Sequence, residues 1–305
     1  MKNALFFYYN IDVSNNSISK INSDYYFNYQ NSNYIVAKYE RNIEEITELY
    51  KLTEEMINNN VPLYKIILTK DNNVLFMNDN ISYILMIMPK IKNRIITYKD
   101  VINFNYVLLN AKYKFLDKSS WTTFWSNKID YIEYQFFQIE KKYSLIKESI
   151  NYYIGIWENA ISYYNTNISI DNLQKCVCHK RLTTKMDLLS FLNPLNLVID
   201  YKERDISEYI KSFIETEKYT EDHINLFLKE IPPERNVIIR FISRTLFPSN
   251  YFDLYEEIIY DKFNEEKITN IIDNKKNYLS LLKIVFKYFE KNNIPVIEWI
   301  VNDKS

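Results

Sequence analysis

A single glycine, two cysteines and two histidines in 305 residues set the first limits on what this chain can do. Phosphate cradles need bare backbone N–H groups that side chains obstruct. With Gly155 as the sole glycine, the turn region Asn15-Asn16-Ser17 has none of that freedom. The Gly-x-Ser-x-Gly elbow of a serine hydrolase is missing too, and Cys178 beside His179 in sequence is not the pairing a cysteine nucleophile uses. Cys176 and Cys178 stand too close together to staple a fold and read as reduced, buried strand residues. With His179 they supply three zinc ligands where structural zinc takes four, and the other histidine, His223, lies far downstream.

An excess of one charge is also lacking. The 38 basic and 39 acidic residues are interspersed and leave a net charge of −1. No field favours nucleic acid or an anionic membrane, and no aromatic–basic interleaving marks an RNA surface. No apolar run approaches the ~20 residues that cross a bilayer. The opening residues 1–9 superficially resemble a signal peptide, but the apolar run is short and no small-residue cleavage site follows. A cytoplasmic protein is the expectation. No repeat, low-complexity segment or linker to a further domain interrupts the chain.

What is present is ample material for a core: 47% hydrophobic residues, with 28 tyrosines and 18 phenylalanines. The abundance of Asn, Ile, Lys and Tyr looks like the coding drift of an AT-rich genome. Residues 1–90 read as a β-rich lobe with one helix, and 91–305 as a mainly helical lobe. Strands are expected at 5–11, 25–30, 34–39, 64–68, 74–77 and 83–88, from β-prone runs between polar turns. Asn42 reads as the N-cap of a helix reaching about Asn58, with Glu44 and Glu45 where the dipole favours acids. Helices are expected at 98–109, 120–140, 145–164 and 206–214, then four or five more to the end, broken near Pro232-Pro233, Pro248 and Pro295. Asp130 and Glu133 lie three apart on one solvated helical face. Gly155, mid-helix beside Trp157, suggests a close helix crossing.

The stretch CVCHKRLTTKMDLLSFLNPLNLVIDYKERDISEYI, from Cys176 to Ile210, carries the functional signal. Two short apolar runs, Cys176-Val177-Cys178 and Leu197-Val198-Ile199, end on His179 and Asp200, and residues just past a strand are exposed at a sheet's edge. A helix opens at Arg204-Asp205-Ile206. This layout resembles the aminoglycoside phosphotransferase and choline kinase branch of the protein-kinase-like fold, spore-coat-associated members included. The resemblance implies an α+β, bilobal architecture with a small antiparallel-sheet N-lobe bearing one helix and a large, mainly helical C-lobe. For an active member it implies ATP and magnesium.

By that resemblance Asp200 would chelate the magnesium bridging the nucleotide phosphates, which makes it the leading candidate for chemistry, with a turn or N-cap aspartate as the structural alternative. Lys38, ending Tyr34-Ile35-Val36-Ala37-Lys38, would reach the phosphates, braced by Glu48 or Glu55. A lysine facing water explains it as well. His179 would take a structural place in the catalytic loop. Asp205 would hydrogen-bond that loop, with Arg204 paired to a nearby acid. The proton acceptor and second metal ligand do not match. Aligning on His179 puts Arg181, a permanent cation with donors only, at the base, and Met186, a soft thioether, at the second ligand. Asp187 could serve as a displaced base and Asn193 or Asn196 as a displaced ligand, though none stands at the family's spacing. Two functions stand. One is a pseudokinase that binds or scaffolds a protein partner, holding nucleotide through Lys38 and Asp200. The other is a divergent ATP-dependent phosphotransferase acting on a hydroxyl group through Asp187. A spore-associated role would follow from the resemblance alone.

Overall fold

A computed structural model describes residues 1–104, 113–139, 141–169, 175–215, 220–260 and 262–302. The chain divides into two compact units. The first comprises Met1–Ile96, Lys185–Ile199 and the described part of Leu109–Asp117; the second takes the remainder, including Asp200 to the C-terminus.

The first unit opens with α1 (Lys2–Tyr9), then β1 (Ser19–Ile21), β2 (Asp24–Tyr29), β3 (Ser32–Lys38), α2 (Ile46–Asn58), β4 (Lys65–Ile67), β5 (Leu75–Asn78) and β6 (Ile81–Ile87). These six strands pair antiparallel, in the order β1-β2-β3-β6-β4, with β5 also on β6. Val36 stands opposite both Tyr25 and Leu85, which sets one face of the sheet. Phe27, Val36, Phe76, Tyr83 and Leu85 pack on that face with Ala4 and Leu5. The expected strand at 5–11 is therefore wrong. Its aromatic run is helical, ended by Asn10 in the left-handed region (φ 55°), whose N–H reaches the Leu5 and Phe6 carbonyls. Covering the apolar face outweighs the β-preference of Phe and Tyr. Asn42 caps the next helix as expected, its side chain accepting from the Glu44 N–H.

Lacking glycine, the chain turns on asparagine. Nine described residues have positive φ, seven of them Asn, with Gln30 and Asp79. Asn tolerates this region because its short side chain bonds locally to the backbone. Gln30 and Asn31, at φ 47° and 59°, make the tight β2–β3 turn. The chain's one glycine has no such duty.

The second unit begins with α3 (Tyr98–Asn103), α4 (Trp121–Ile139) and α5 (Ser144–Asn167). The expected helix at 98–109 is described only to Phe104, and Glu140 likewise lies outside the described residues. Next come β7 (Cys176–His179), α6 (Leu188–Phe191), which belongs to the first unit, and β8 (Leu197–Asp200), whose last residue enters the second. Seven more helices follow: α7 (Glu203–Ser212), α8 (Glu221–Leu228), α9 (Arg235–Leu246), α10 (Ser249–Ile259), α11 (Thr269–Asp273), α12 (Lys275–Phe289) and α13 (Glu298–Val301). Trp157 on α5 is fully buried against Trp125, Phe247 and Phe252. Gly155 would meet nothing within 4 Å if given a Cβ, so no close helix crossing explains it. Gly155→Ala should therefore stabilise the protein by about 1 kcal/mol, the helix-propensity difference alone. A rise in the urea midpoint at unchanged slope would register it, and a fall would reveal a neighbour that had to move.

The first unit gathers later chain segments for reasons visible in its hydrogen bonds. The Arg41 Nη1 donates to the carbonyls of Leu195 (3.1 Å) and Leu197 (2.7 Å), and its Nε to Glu45 (2.6 Å). The Ile199 N–H donates to Leu116 O at 2.9 Å. Buried strand ends must place their backbone groups somewhere, and here they do so on residues distant in sequence.

Candidate functional site

All ten residues of α7 are buried, although five are charged: Glu203, Arg204, Asp205, Glu208 and Lys211. Burying charge is costly unless each group finds a hydrogen-bonded partner of opposite sign. Four of the five do, while Asp205 instead takes the backbone N–H and ring of His179, and these contacts build the site.

Asp205, in the first turn of α7, takes hold of His179. Its Oδ1 accepts the His179 backbone N–H at 2.8 Å, and its Oδ2 lies 2.7 Å from the ring Nδ1. The ring packs on Phe104, with centroids 4.6 Å apart. Arg204 holds the same segment from its other side, its Nε donating to His179 O (2.7 Å) and its Nη2 to Lys180 O (2.8 Å). The loop after β7 is thus pinned at the backbone by two neighbouring residues of one helix.

Asp200 is enclosed. It is 0% exposed, and both carboxylate oxygens are engaged. Oδ1 accepts the Tyr201 N–H at 2.8 Å, while Oδ2 accepts from Arg204 Nη1 at 2.9 Å and from Arg244 Nη2. Arg244 comes from α9 and lies over Trp121 (4.9 Å) and Trp125 (5.8 Å), so its weakly hydrated cation is held by rings as well as by the acid. Behind the strand end, the Cys176 thiol donates to Asp200 O (3.6 Å) and the Cys178 thiol to Tyr201 O (3.4 Å). Burial pushes the Cys178 thiol up, so it stays protonated and unreactive.

Arg181 forms a two-pronged pair with Asp253 of α10, Nη2 to Oδ1 at 2.8 Å and Nε to Oδ2, and its Nε lies 3.8 Å from Glu208. Burial works against its charge, but Asp253 and Glu208 outweigh burial and push its pKa up. Glu208 in turn accepts from Lys211 Nζ at 2.9 Å, which also donates to Phe247 O (3.0 Å) and Ser249 Oγ (2.9 Å). Burial would raise Glu208, yet Lys211 and Arg181 bring it down to about 2, while burial pulls Lys211 down to about 8 against the attraction of Glu208.

The remaining candidates sit in the first unit. Asp187 caps α6, its Oδ1 accepting the Ser190 N–H (3.0 Å) and its Oδ2 the Ser190 hydroxyl (2.7 Å). Burial raises its pKa, but the Ser190 bonds prevail and hold it below the usual carboxylate value. Lys38 lies on the Val36 face of β3, two residues on, and pairs with Glu40 at 2.7 Å. It is not brought to either α2 acid. Glu48 accepts the backbone N–H groups of Phe115 (2.8 Å) and Leu116 (3.0 Å), and Glu55 accepts the Tyr113 hydroxyl (2.6 Å).

The structure thus joins His179, Asp200, Arg204 and Asp205 in one network. It adds Arg244, Asp253, Glu208 and Lys211, which sequence reading passed over. A signal existed: Arg240 and Arg244 interrupt an apolar helical run four residues apart, and a cation there needs a buried acid. Arg240 finds Glu203 at 2.9 Å.

A family described as "Spore coat putative kinase YutH" matches residues 2–285. The endospore coat-associated protein YutH of Bacillus subtilis (strain 168) is 24% identical over 298 residues, covering 86% of each chain. Among solved structures, an AMP-bound spectinomycin phosphotransferase superposes with a TM-score of 0.58 at 13% identity, covering 93% of this chain and 96% of that one. A microcompartment-associated aminopropanol kinase gives 0.58 at 9% identity, covering 95% and 97%. An aminoglycoside phosphotransferase from Alicyclobacillus acidocaldarius gives 0.57 at 7% identity, covering 90% and 92%. At these identities the likeness establishes a kinase-like fold.

Proposed function

This chain belongs to the spore coat kinase-like family represented by YutH, and we propose that it is a catalytically degenerate member, binding or scaffolding a partner without transferring phosphate. The enclosure of Asp200 carries this reading. Magnesium demands near-octahedral hard oxygen and keeps several waters. A fully buried carboxylate with two guanidinium groups on it offers neither a vacant oxygen nor room for water, and the two cations already in contact with it repel a divalent cation. The residues present therefore do not fit the metal. The place of the proton acceptor is taken by Arg181, itself locked to Asp253. Association with the spore coat, the property named for the Bacillus subtilis relative, is part of the proposal.

The second reading, an active phosphotransferase, is favoured by neighbours whose names describe phosphotransferases and kinases. It requires Asp187 to leave Ser190, where its lowered pKa makes it a weak base. Nucleotide binding without metal is compatible with either reading through Lys38, because its pair with Glu40, at side-chain exposures of 38% and 65%, gives up little when broken.

Thermal shift with ATP, with and without magnesium, tests the proposal. We expect magnesium to add nothing to any shift ATP produces. A magnesium-dependent gain, which saturating ligand would make as large as roughly 2.7 kcal/mol at a hundredfold excess over Kd, would overturn it, as would ADP formation that disappears in Asp187→Asn.

A further inference from the structure

We propose that the chain pairs with a second copy of itself through the outer face of α4, the two helices crossing antiparallel. The inner side of α4 carries Trp121, Trp125, Ile129 and Ile132, all buried. A surface helix with such a stripe shows charged and polar residues on its other side, and one that is apolar all round belongs in an interior. On α4 the other side bears Phe124, Tyr131, Tyr134 and Phe137, at exposures of 57, 52, 69 and 84%. Tyr131, Tyr134 and Phe137 follow at three-residue steps, and Phe124 stands two turns before Tyr131, so the rings run along one side. Tyr260, just past α10 and 63% exposed, lies close enough to Tyr131 to push its pKa up. Lys128 pairs with Glu256 at 2.8 Å and ties α4 to α10 beside these rings.

Area and charge together identify the occupant as the same chain. An aromatic side chain offers about 150–250 Å² when fully exposed, so these five rings at their exposures present roughly 600 Å², the upper end of what a monomer leaves uncovered. With the exposed polar residues interleaved among them, the face approaches the ~800 Å² that each partner gives to a stable complex.

Asp130 and Glu133 lie exposed among the rings, and Lys141 follows the helix in the turn after Ile139. An antiparallel crossing that sets Tyr134 against Phe137 of the second copy also sets Asp130 against Lys141, because both pairs are symmetric about the same point. It brings Glu133 opposite the amide of Gln138 as well. A parallel crossing would place acid against acid. A two-fold pair makes each of these contacts twice, and a net charge of −1 per chain leaves little repulsion between copies. The rings lie opposite Trp121 and Trp125, the pair that meets Arg244, so the inference does not rest on the reading of Asp200.

Sedimentation velocity of the full chain, at up to about 100 μM, tests it. The mass of two chains is expected. Tyr134→Glu with Phe137→Glu should weaken self-association at least about ten-fold, as loss of central aromatic anchors does, while keeping the wild-type circular dichroism. Asp130→Lys and Lys141→Asp should each weaken it too, and an equimolar mixture of these two variants should recover dimers, because each supplies the charge the other needs. A wild type that stays monomeric overturns the proposal and leaves the face to a different protein. So does a dimer that the two glutamates do not weaken, or a mixture that associates no more tightly than its components.

Discussion

Asp200→Asn should destabilise the protein by about 3–5 kcal/mol, with no metal or nucleotide present. The basis is the cost of breaking a buried ion pair from one side. In the wild type one carboxylate answers Arg204 and Arg244, both nearly inaccessible. An amide keeps the shape and loses the charge, leaving two buried guanidinium groups in contact with each other's field. Arg244 gains something from Trp121 and Trp125, but rings do not replace an anion. In a chain of this size such a loss lowers Tm on the order of 10 °C. The same substitution at a carboxylate poised for magnesium behaves oppositely, because removing an unpaired charge from a cleft relieves repulsion and leaves the apo fold as stable or more so. Urea denaturation of the wild type, Asp200→Asn, Arg244→Met and the double variant distinguishes the two cases. The double variant should lie well above the sum of the singles, with a coupling of up to roughly 3 kcal/mol. An Asp200→Asn protein as stable as the wild type would end the clamp interpretation and reopen magnesium chemistry.

The second large effect is expected at Glu208. Its folded pKa, about 2, lies below the ordinary 4.5 because Lys211 and Arg181 overcome the cost of burial. Between those values the unfolded chain binds the proton more readily than the folded one. The stability Glu208 contributes is fully present above pH 4.5 and disappears as pH falls through about 2. Glu208→Gln removes that part of the acid limb. At pH 7 it also strands Lys211, which is 3% exposed, beside Arg181, at a cost of about 3–5 kcal/mol. Stability measured from pH 7 down to pH 2 should therefore show a variant that is weaker at neutrality with a shallower acid slope. A variant retaining the full wild-type slope would mean that other carboxylates govern acid unfolding.

Much of the fold was legible because periodicity and turn chemistry are local. Asn42, Glu44 and Glu45 announce a helix start within four residues, and the strand patterns before and after it needed no distant information. The run 5–11 favours a strand by its Phe and Tyr content yet is helical to Tyr9, because the demand for a cover over Phe76 and Leu85 comes from residues much later in the chain. Gly155 failed differently: a lone glycine suggests crowding, yet the space beside it is open.

At the site, the sequence by itself determined that His179 and Asp200 end two short strands and that Arg204 and Asp205 lie at a helix start, while Arg181 and Met186 stand in for a base and a metal ligand only by the resemblance. Those are matters of spacing within some thirty positions. Only the tertiary structure decided what surrounds Asp200, because its second guanidinium arrives from α9, more than forty residues away, and the charges a buried carboxylate meets are set by packing rather than by local spacing. The same holds for Lys38, whose partner was set by the face of β3 it occupies.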